Sequence, residues 1–332
     1  MERVVSGIRP TGNLHLGNYF GAVKSFLQMQ ESYDCFFFIA DLHSLTTHPK
    51  PEDLHQNVRT VLAEYLAMGL DPEKCSLFIQ SDVPAISELY TYMNMNAYLG
   101  ELQRSASFKE KIRTQPNNVN AGLLTYPVLM AVDILVHHAD YVPVGKDQQQ
   151  HLEMTRQFGN RFNRLYDTEY FKEPQAFSFT GELVKVPGLS GQGKMSKSSG
   201  DADTIVFDQE DAVIHKKIMR AKTDEGPKSL NQDKPEVIQN LFDLMNLVSN
   251  ASTLDHFHKA YANCEIRYGD LKKQLSEDMI AFIKPIRERI REISADEAYI
   301  SKAAKLGAEK ANESANKTLS EVRKIIGFKK FY

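Results

Sequence analysis

Two stretches far apart in the chain carry residue types suited to handling phosphates. The first, Ser6-Gly7-Ile8-Arg9-Pro10-Thr11-Gly12-Asn13-Leu14-His15-Leu16-Gly17-Asn18, follows a strand-forming run and precedes a helical pattern from Tyr19 to Met29. Glycines let the backbone approach a ligand, and a helix N-terminus offers unpaired N–H groups and partial positive charge to anions. His15 and Asn18 add side-chain donors on the same turn. Taken alone, the stretch also reads as an ordinary strand-to-helix turn capped by Asn13 or Asn18. The second stretch is Gly191-Gln192-Gly193-Lys194-Met195-Ser196-Lys197-Ser198-Ser199-Gly200. Two lysines in a glycine-flanked loop can swing onto a triphosphate and neutralise charge building on a leaving pyrophosphate. The bland reading is a solvated linker, and its pairing with the first stretch argues against that.

The two stretches resemble the signatures of the class I aminoacyl-tRNA synthetases, the HIGH and KMSKS motifs, read here as His15-Leu16-Gly17-Asn18 and Lys194 to Ser198. The second is a complete match. The first ends in Asn where the motif has a second His, a substitution familiar in the tryptophanyl subgroup that keeps a hydrogen-bond donor of similar reach. The resemblance implies ATP-dependent adenylate formation, with His15, Asn18, Lys194 and Lys197 as the principal catalytic contributors. Lys111, in Phe108-Lys109-Glu110-Lys111, would be an auxiliary on the triphosphate, although such a run is otherwise a solvated face. ATP contacts carried over from the family fall on Arg9, Pro10, Thr11, Gly17, Asn18, Gly145, Lys146, Asp147, Val186, Lys194, Met195, Ser196, Lys197 and Ser198. Mg²⁺ would accompany ATP to offset phosphate charge, with no metal site of the protein's own. Arg9 stands where some relatives have Gln, so its contact is left open.

The segment Gly122 to Leu135 looks like the amino-acid pocket helix of the tryptophanyl and tyrosyl synthetases. Tyr126, Met130 and Asp133 are spaced to share one helix face. Without the neighbouring motifs, the same pattern is an amphipathic helix with Met in the core and Asp at the surface. In a pocket, Asp133 would accept the indole N–H of tryptophan, a donor-only group, and Met130 would pack on the ring. The tyrosyl branch usually has Gln at the position of Met130. By the same resemblance, Val142 and Val144 in Tyr141-Val142-Pro143-Val144-Gly145-Lys146-Asp147-Gln148 would wall the indole. Asp147 and Gln148 would lie near the ribose and the substrate ammonium. His43, in Asp41-Leu42-His43-Ser44, would border the pocket, and Val186 would touch adenine. The implied partners are L-tryptophan, tRNA(Trp) and a second copy of the chain as a homodimer. Two rivals remain: a tyrosyl enzyme, against which Met130 speaks, and a nucleotide- or RNA-binding relative without catalysis, against which His15 and the intact Lys194 to Ser198 string speak.

These residues need a scaffold, and the chain supplies one. Its 332 residues are 42% apolar and 25% charged, enough for one large core or two smaller ones. Short apolar runs alternate with helix-period segments in the first half, the pattern of a mainly parallel sheet built from βα units. Strands are expected at Arg3 to Ile8, Cys35 to Ala40, Ser76 to Gln80 and Tyr141 to Val144. A crossover helix lies between the second and third, through Leu54, Val58, Val61, Leu62, Tyr65 and Leu66, and Gly69 stops it. From about Gln209 the texture turns helical, over Glu236 to Val248 and Leu271 to Ile293, where Pro285 should kink the apolar stripe. The fold expected is α/β: a Rossmann-like parallel-sheet catalytic domain over residues 1–208, including the KMSKS loop, and a C-terminal helical tRNA-binding domain over 209–332. The last helix is a candidate to pack back on the first domain.

The formal net charge of -3 directs any nucleic-acid contact to local patches such as Lys216-Lys217-Ile218-Met219-Arg220-Ala221-Lys222 or Arg323-Lys324. Cys35, Cys75 and Cys264 form no CxxC pair, which argues against a disulfide framework or a cysteine-ligated metal. No apolar run reaches the length of a bilayer span and none resembles a leader, so a soluble, cytoplasmic protein without membrane contact is expected.

Overall fold

The structure, a computed structural model, describes residues 1–145, 148–177, 185–191, 193–196 and 200–331. Five parallel strands form one sheet in the order β3-β2-β1-β4-β5: β1 (Arg3–Ile8), β2 (Asp34–Ile39), β3 (Ser76–Ile79), β4 (Tyr141–Pro143) and β5 (Gln175–Phe177). The expected strands recur within a residue or so. Only β5 lacked a signal, because its three residues, Gln175, Ala176 and Phe177, are exposed or half-buried and show no apolar run.

The helices are α1 (Leu16–Asn18), α2 (Lys24–Met29), α3 (Asp41–Ser44), α4 (Pro51–Met68), α5 (Pro84–Asn96), α6 (Leu99–Arg104), α7 (Ala106–Thr114), α8 (Ala121–Leu135), α9 (Gln149–Leu165), α10 (Asp211–Met219), α11 (Glu236–Val248), α12 (Ala251–Ala262), α13 (Tyr268–Ala295) and α14 (Glu297–Ile326). The crossover helix α4 starts on Pro51, whose missing N–H costs nothing in a first turn. It stops at Gly69, whose φ of 110° suits a residue without Cβ.

Two compact units emerge from the packing. One comprises residues 1–12, 27–181 and 296–332; the other comprises 13–26 and 182–295. This division is not a single cut after residue 208. The HIGH segment and the KMSKS loop fall in the second unit, and the final helix falls in the first, because spatial contact and not chain order decides membership.

In the first unit, the sheet's apolar side chains, among them Val5, Phe36, Phe38 and Phe78, join Ile86 and Leu89 of α5, Val128 and Val132 of α8 and Phe158 of α9 in one core. Helix α14 lies against β3, with Ala303, Gly307, Ala311 and Ala315 all buried on its inner face. A Cβ on Gly307 would sit 1.7 Å from the Leu77 carbonyl oxygen, so only glycine allows this approach. Thr318 donates its hydroxyl to the Val136 carbonyl at 2.6 Å.

In the second unit, α13 packs on α10 and α11 through Leu271, Leu275, Met279, Ile283, Ile290 and Ile293. The helix runs as one element through Pro285. The carbonyl left without a donor by the proline, that of Ala281, lies on the exposed side, where water can serve it. Buried Arg287 ties α13 to the start of α10 by pairing with Asp211 at 2.6 Å and by donating to the Gln209 carbonyl.

Candidate active site

Each compact unit carries one half of the expected chemistry. In the second, the HIGH turn is laced to the segment that follows the KMSKS loop. The Leu16 N–H donates to the Ile205 carbonyl at 3.0 Å and the Phe207 N–H to the Leu14 carbonyl at 3.3 Å, so His15 lies opposite Val206. His15, buried, is the residue that caps α1, in place of the Asn13 or Asn18 cap considered from sequence. The Asn18 Oδ1 accepts the His15 backbone N–H at 3.0 Å. That oxygen holds the turn together and leaves the amide NH₂ as the group able to donate outward.

Beyond Asn18 the chain makes a π-helical turn over Tyr19–Val23 before α2, so the single helix expected from Tyr19 to Met29 is interrupted. Such turns gather at functional sites. Gly17 is required by what surrounds it: an added Cβ would lie 2.8 Å from the His15 ring and 3.1 Å from the Met195 carbonyl.

The loop itself is pinned at its base. The Met195 N–H donates to the Val186 carbonyl at 2.7 Å and the Gly188 N–H to the Gly193 carbonyl at 3.2 Å. This buries Val186 and Met195 and leaves Lys194 exposed. Asp203, buried, accepts the Ser190 N–H on Oδ1 at 2.5 Å, and Gly188 must be glycine because a Cβ would meet the same carboxylate at 2.3 Å. Gly191, Gly193 and Gly200 all have positive φ, of 81°, 69° and 93°. Ser196 is half-buried. Lys197 and Ser198 lie outside the described residues.

The first unit holds the pocket helix. Asp133 is 2% exposed, which replaces the surface-helix reading with a buried one. Its Oδ2 lies 2.8 Å from His43 Nε2, and its Oδ1 accepts from Gln80 Nε2 at 2.7 Å. Burial pushes the Asp133 carboxyl above the usual carboxylate range, helped by Asp41, while the hydrogen bonds and charge of His43 and the bond from Gln80 pull it back.

Two turns earlier on α8, the Tyr126 hydroxyl meets His151 Nε2 at 2.6 Å, and His151 Nδ1 lies 2.9 Å from Gln148 Oε1. Ser107 Oγ adds a contact to His151 Nε2 at 2.9 Å. The Tyr126 ring meets the His43 ring edge-on, with centroids 5.9 Å apart. Met130 and Val144 are half-buried against the same core, and Val142 is buried in β4. The Gly145 carbonyl accepts the Gln148 N–H at 3.0 Å. Lys146 and Asp147 lie outside the described residues.

Arg9 is half-buried at the end of β1, and its enclosed Nε has no hydrogen-bond partner among the described residues. Burial lowers its pKa, with Tyr126 opposing. A guanidinium edge of this kind is completed by an anionic or carbonyl acceptor. Pro10 is buried, while Thr11 is exposed and donates its N–H to the Arg9 carbonyl at 2.9 Å. Lys111 is half-buried on α7.

Gln80, His151, Ser107 and Asp203 did not emerge as functional from sequence. Only Gln80 had a usable signal, its place at the carboxyl end of a parallel strand, where ligands gather. The basic patches fare unevenly. Lys217 is spent on Asp201 at 2.8 Å, Arg323 on both Glu88 oxygens at 2.5 and 2.9 Å, and Lys324 on Glu321 at 2.6 Å, whereas Lys216 and Arg220 are exposed. Among the described residues, no three His, Cys, Asp or Glu side chains are grouped to hold a metal ion, and no helix is long and apolar enough to cross a membrane.

Comparison with known proteins converges on one family. Residues 1–284 match the sequence model of the class I tRNA synthetases (W and Y). The tryptophan–tRNA ligase of Porphyromonas gingivalis is 61% identical over 329 residues, covering 99% of this chain and 100% of that one. The ligase of Clostridium tetani is 42% identical, covering 98% and 96%. Among solved structures, tryptophanyl-tRNA synthetase from Campylobacter jejuni, complexed with ADP and tryptophan, superposes with a TM-score of 0.88 at 34% identity, covering 98% of this chain and 100% of that one. The Mycoplasma pneumoniae synthetase does so with a TM-score of 0.82, also at 34% identity, covering 99% and 98%. By the family match over residues 1–284 and the 61% identity to a ligase covered end to end, this chain belongs to the class I tRNA synthetases of the tryptophan and tyrosine type, on the bacterial tryptophan–tRNA ligase branch.

Proposed function

We propose that the chain activates L-tryptophan with ATP and transfers it to tRNA(Trp), with recognition of the amino acid centred on Asp133. The observation that carries the choice of tryptophan is the buried Asp133 carboxylate, held between His43 and Gln80 on the helix that also presents Met130 and Tyr126. An ionised carboxylate is acceptor-only, the complement of an indole N–H.

In the first step a tryptophan carboxylate oxygen attacks the α-phosphorus of ATP, the bond to the bridging oxygen breaks, and pyrophosphate leaves. In the second, a terminal ribose hydroxyl of the tRNA attacks the acyl carbon and AMP leaves. No nucleophile of the protein takes part, so the work is positioning and charge stabilisation. His15 and Asn18, at the start of α1, meet the phosphates. Lys194 and Lys197 offset charge on the departing pyrophosphate, with Lys111 and Arg9 as further cations. Val186, Met195, Ser196 and Ser198 hold the nucleotide together with Pro10, Thr11, Gly17, Gly145, Lys146 and Asp147.

Mg²⁺ enters as the companion of the ATP phosphates, as part of the substrate. The ADP and tryptophan bound by the Campylobacter relative support the pairing of ligands. His43, Val142, Val144 and Gln148 complete the tryptophan pocket. The helices of the second unit, with Lys216 and Arg220 exposed, are assigned to tRNA. Met95, Tyr98 and Leu99, exposed by 84%, 65% and 59% around the junction of α5 and α6, are the surface assigned to homodimer formation. The site of action is the cytoplasm.

Amino-acid-dependent exchange of labelled pyrophosphate into ATP tests the reading. Exchange is expected with tryptophan alone; exchange with tyrosine and none with tryptophan would overturn it.

A further inference from the structure

We infer that Gln80 is a positioning residue for amino-acid selection: its amide N–H fixes the Asp133 carboxylate so that the polar end of the pocket presents acceptors only. The inference rests on the proposed role of Asp133 as acceptor for the indole N–H.

A carboxylate rotates easily about its last side-chain bond, where the torsional wells are broad. One anchor leaves that rotation open, and two anchors on different oxygens close it. Asp133 has both: Gln80 Nε2 on Oδ1 at 2.7 Å and His43 Nε2 on Oδ2 at 2.8 Å. The anchors reach it from different elements, the turn after β3 and α3. About four lone-pair directions serve a carboxylate, so two remain with their orientation set.

Gln80 is itself wholly buried, so it acts on a substrate through Asp133 rather than by contact. The amide orientation follows from the chemistry, since a carbonyl turned toward Asp133 would set acceptor against acceptor. Its Oε1 consequently has no partner among the described residues. Leaving a buried acceptor unmatched is costly, and the charge-assisted bond to Asp133 offsets it.

The selective consequence follows from counting donors. The N–H groups nearest the carboxylate, on His43 and Gln80, are both turned to Asp133. An indole N–H has no lone pair to satisfy and finds an acceptor. A phenol hydroxyl brings lone pairs as well, and these meet none of the donors at that end.

The test compares tryptophan with its benzothiophene isostere, in which sulfur replaces the N–H, using full-length protein. KM and kcat for tryptophan and Ki for the isostere are measured in the exchange assay for the wild type, Gln80→Met and Gln80→Leu. Methionine keeps the unbranched shape, leucine keeps a similar apolar bulk, and both lose the amide donor. The expected result for both is a KM for tryptophan raised at least about tenfold, with kcat within about twofold and Ki for the isostere nearly unchanged, the loss of one hydrogen bond to a charged group. Parallel weakening of tryptophan and isostere, or no change in either, would overturn the inference and make Gln80 a packing residue. Should one variant fail to fold by thermal unfolding, the other decides. Asp133→Ala, which removes the acceptor, is run alongside: discrimination unchanged there defeats the reading of Asp133 itself, whereas discrimination lost there but kept in both Gln80 variants defeats the role of Gln80 alone.

Discussion

At Asp133, burial favours the neutral acid, while His43 and Gln80 favour the carboxylate. Burial is the larger influence, so this carboxyl titrates above the usual range. The sign of the consequence is definite. Above its raised pKa the group offers lone pairs to an indole N–H, and below it a hydroxyl hydrogen faces another hydrogen. The KM for tryptophan should therefore climb on acidification from a pH above the ordinary carboxylate range, with His43 and Asp41 as the ionisable neighbours. A pH profile of that KM checks the expectation, and a flat profile down to the ordinary range contradicts it. The same shift makes the folded chain hold this proton more tightly than the unfolded chain, so ionising Asp133 lowers stability as pH rises through the raised pKa.

At this scale the sequence was partly legible. That Tyr126, Met130 and Asp133 share a face follows from helical spacing, and that the face lines a pocket follows only from the resemblance of the segment around them. Gln80 does not, because its partner lies 53 residues away and only the folded sheet brings them together. Asn18 was legible as a donor, and the further use of its side chain was not: its oxygen accepts the His15 backbone N–H, leaving the NH₂ to donate.

Among the elements, the contact of α14 with β3 gives the sharpest expectation. An alanine in the middle of a helix normally stabilises it over glycine by about 1 kcal/mol. At Gly307 the added methyl would lie 1.7 Å from the Leu77 carbonyl oxygen, backbone that cannot swing aside. Gly307→Ala should therefore destabilise the protein by about 3 kcal/mol or more, as overpacking against a rigid neighbour does. Urea unfolding reads the sign directly, and a stabilised variant would show that the helix stands farther from the strand.

Elements with one strong apolar face, such as α4 and α11, were legible to within a few residues because burial dictates their period. The segment after His15 was not. Tyr19 and Phe20 both pack on Phe282, with centroids 5.5 and 5.4 Å apart, and seating adjacent residues against one ring accompanies the π turn that no periodicity announces.

For the molecule as a whole, the acid limit of stability passes through His137. It is buried, stacked on Phe36 at 4.5 Å, and its Nδ1 lies 3.2 Å from Ser314 Oγ. Burial, with Arg3 and His138, pushes its pKa down to about 3 from 6.5. Between those values the unfolded chain takes up a proton that the folded chain refuses. Stability is therefore lost as pH falls, by about 1.4 kcal/mol per pH unit through this residue. His137→Gln should unfold more easily at neutral pH yet show a shallower acid slope in urea titrations; an unchanged slope would assign the proton elsewhere.

The α/β class was legible because strand and helix periods differ. The return of the last helix to the first unit was also anticipated, whereas the allocation of residues 13–26 to the second was not, since membership of a compact unit depends on contacts made across most of the chain. The return of that helix bears on synthesis at the ribosome. Strand β3 is translated early, but the helix that covers it, with Gly307 against Leu77, emerges more than two hundred residues later. Throughout that interval a nascent chain carries an uncovered sheet flank, a surface for chaperones to guard until the last long helix arrives.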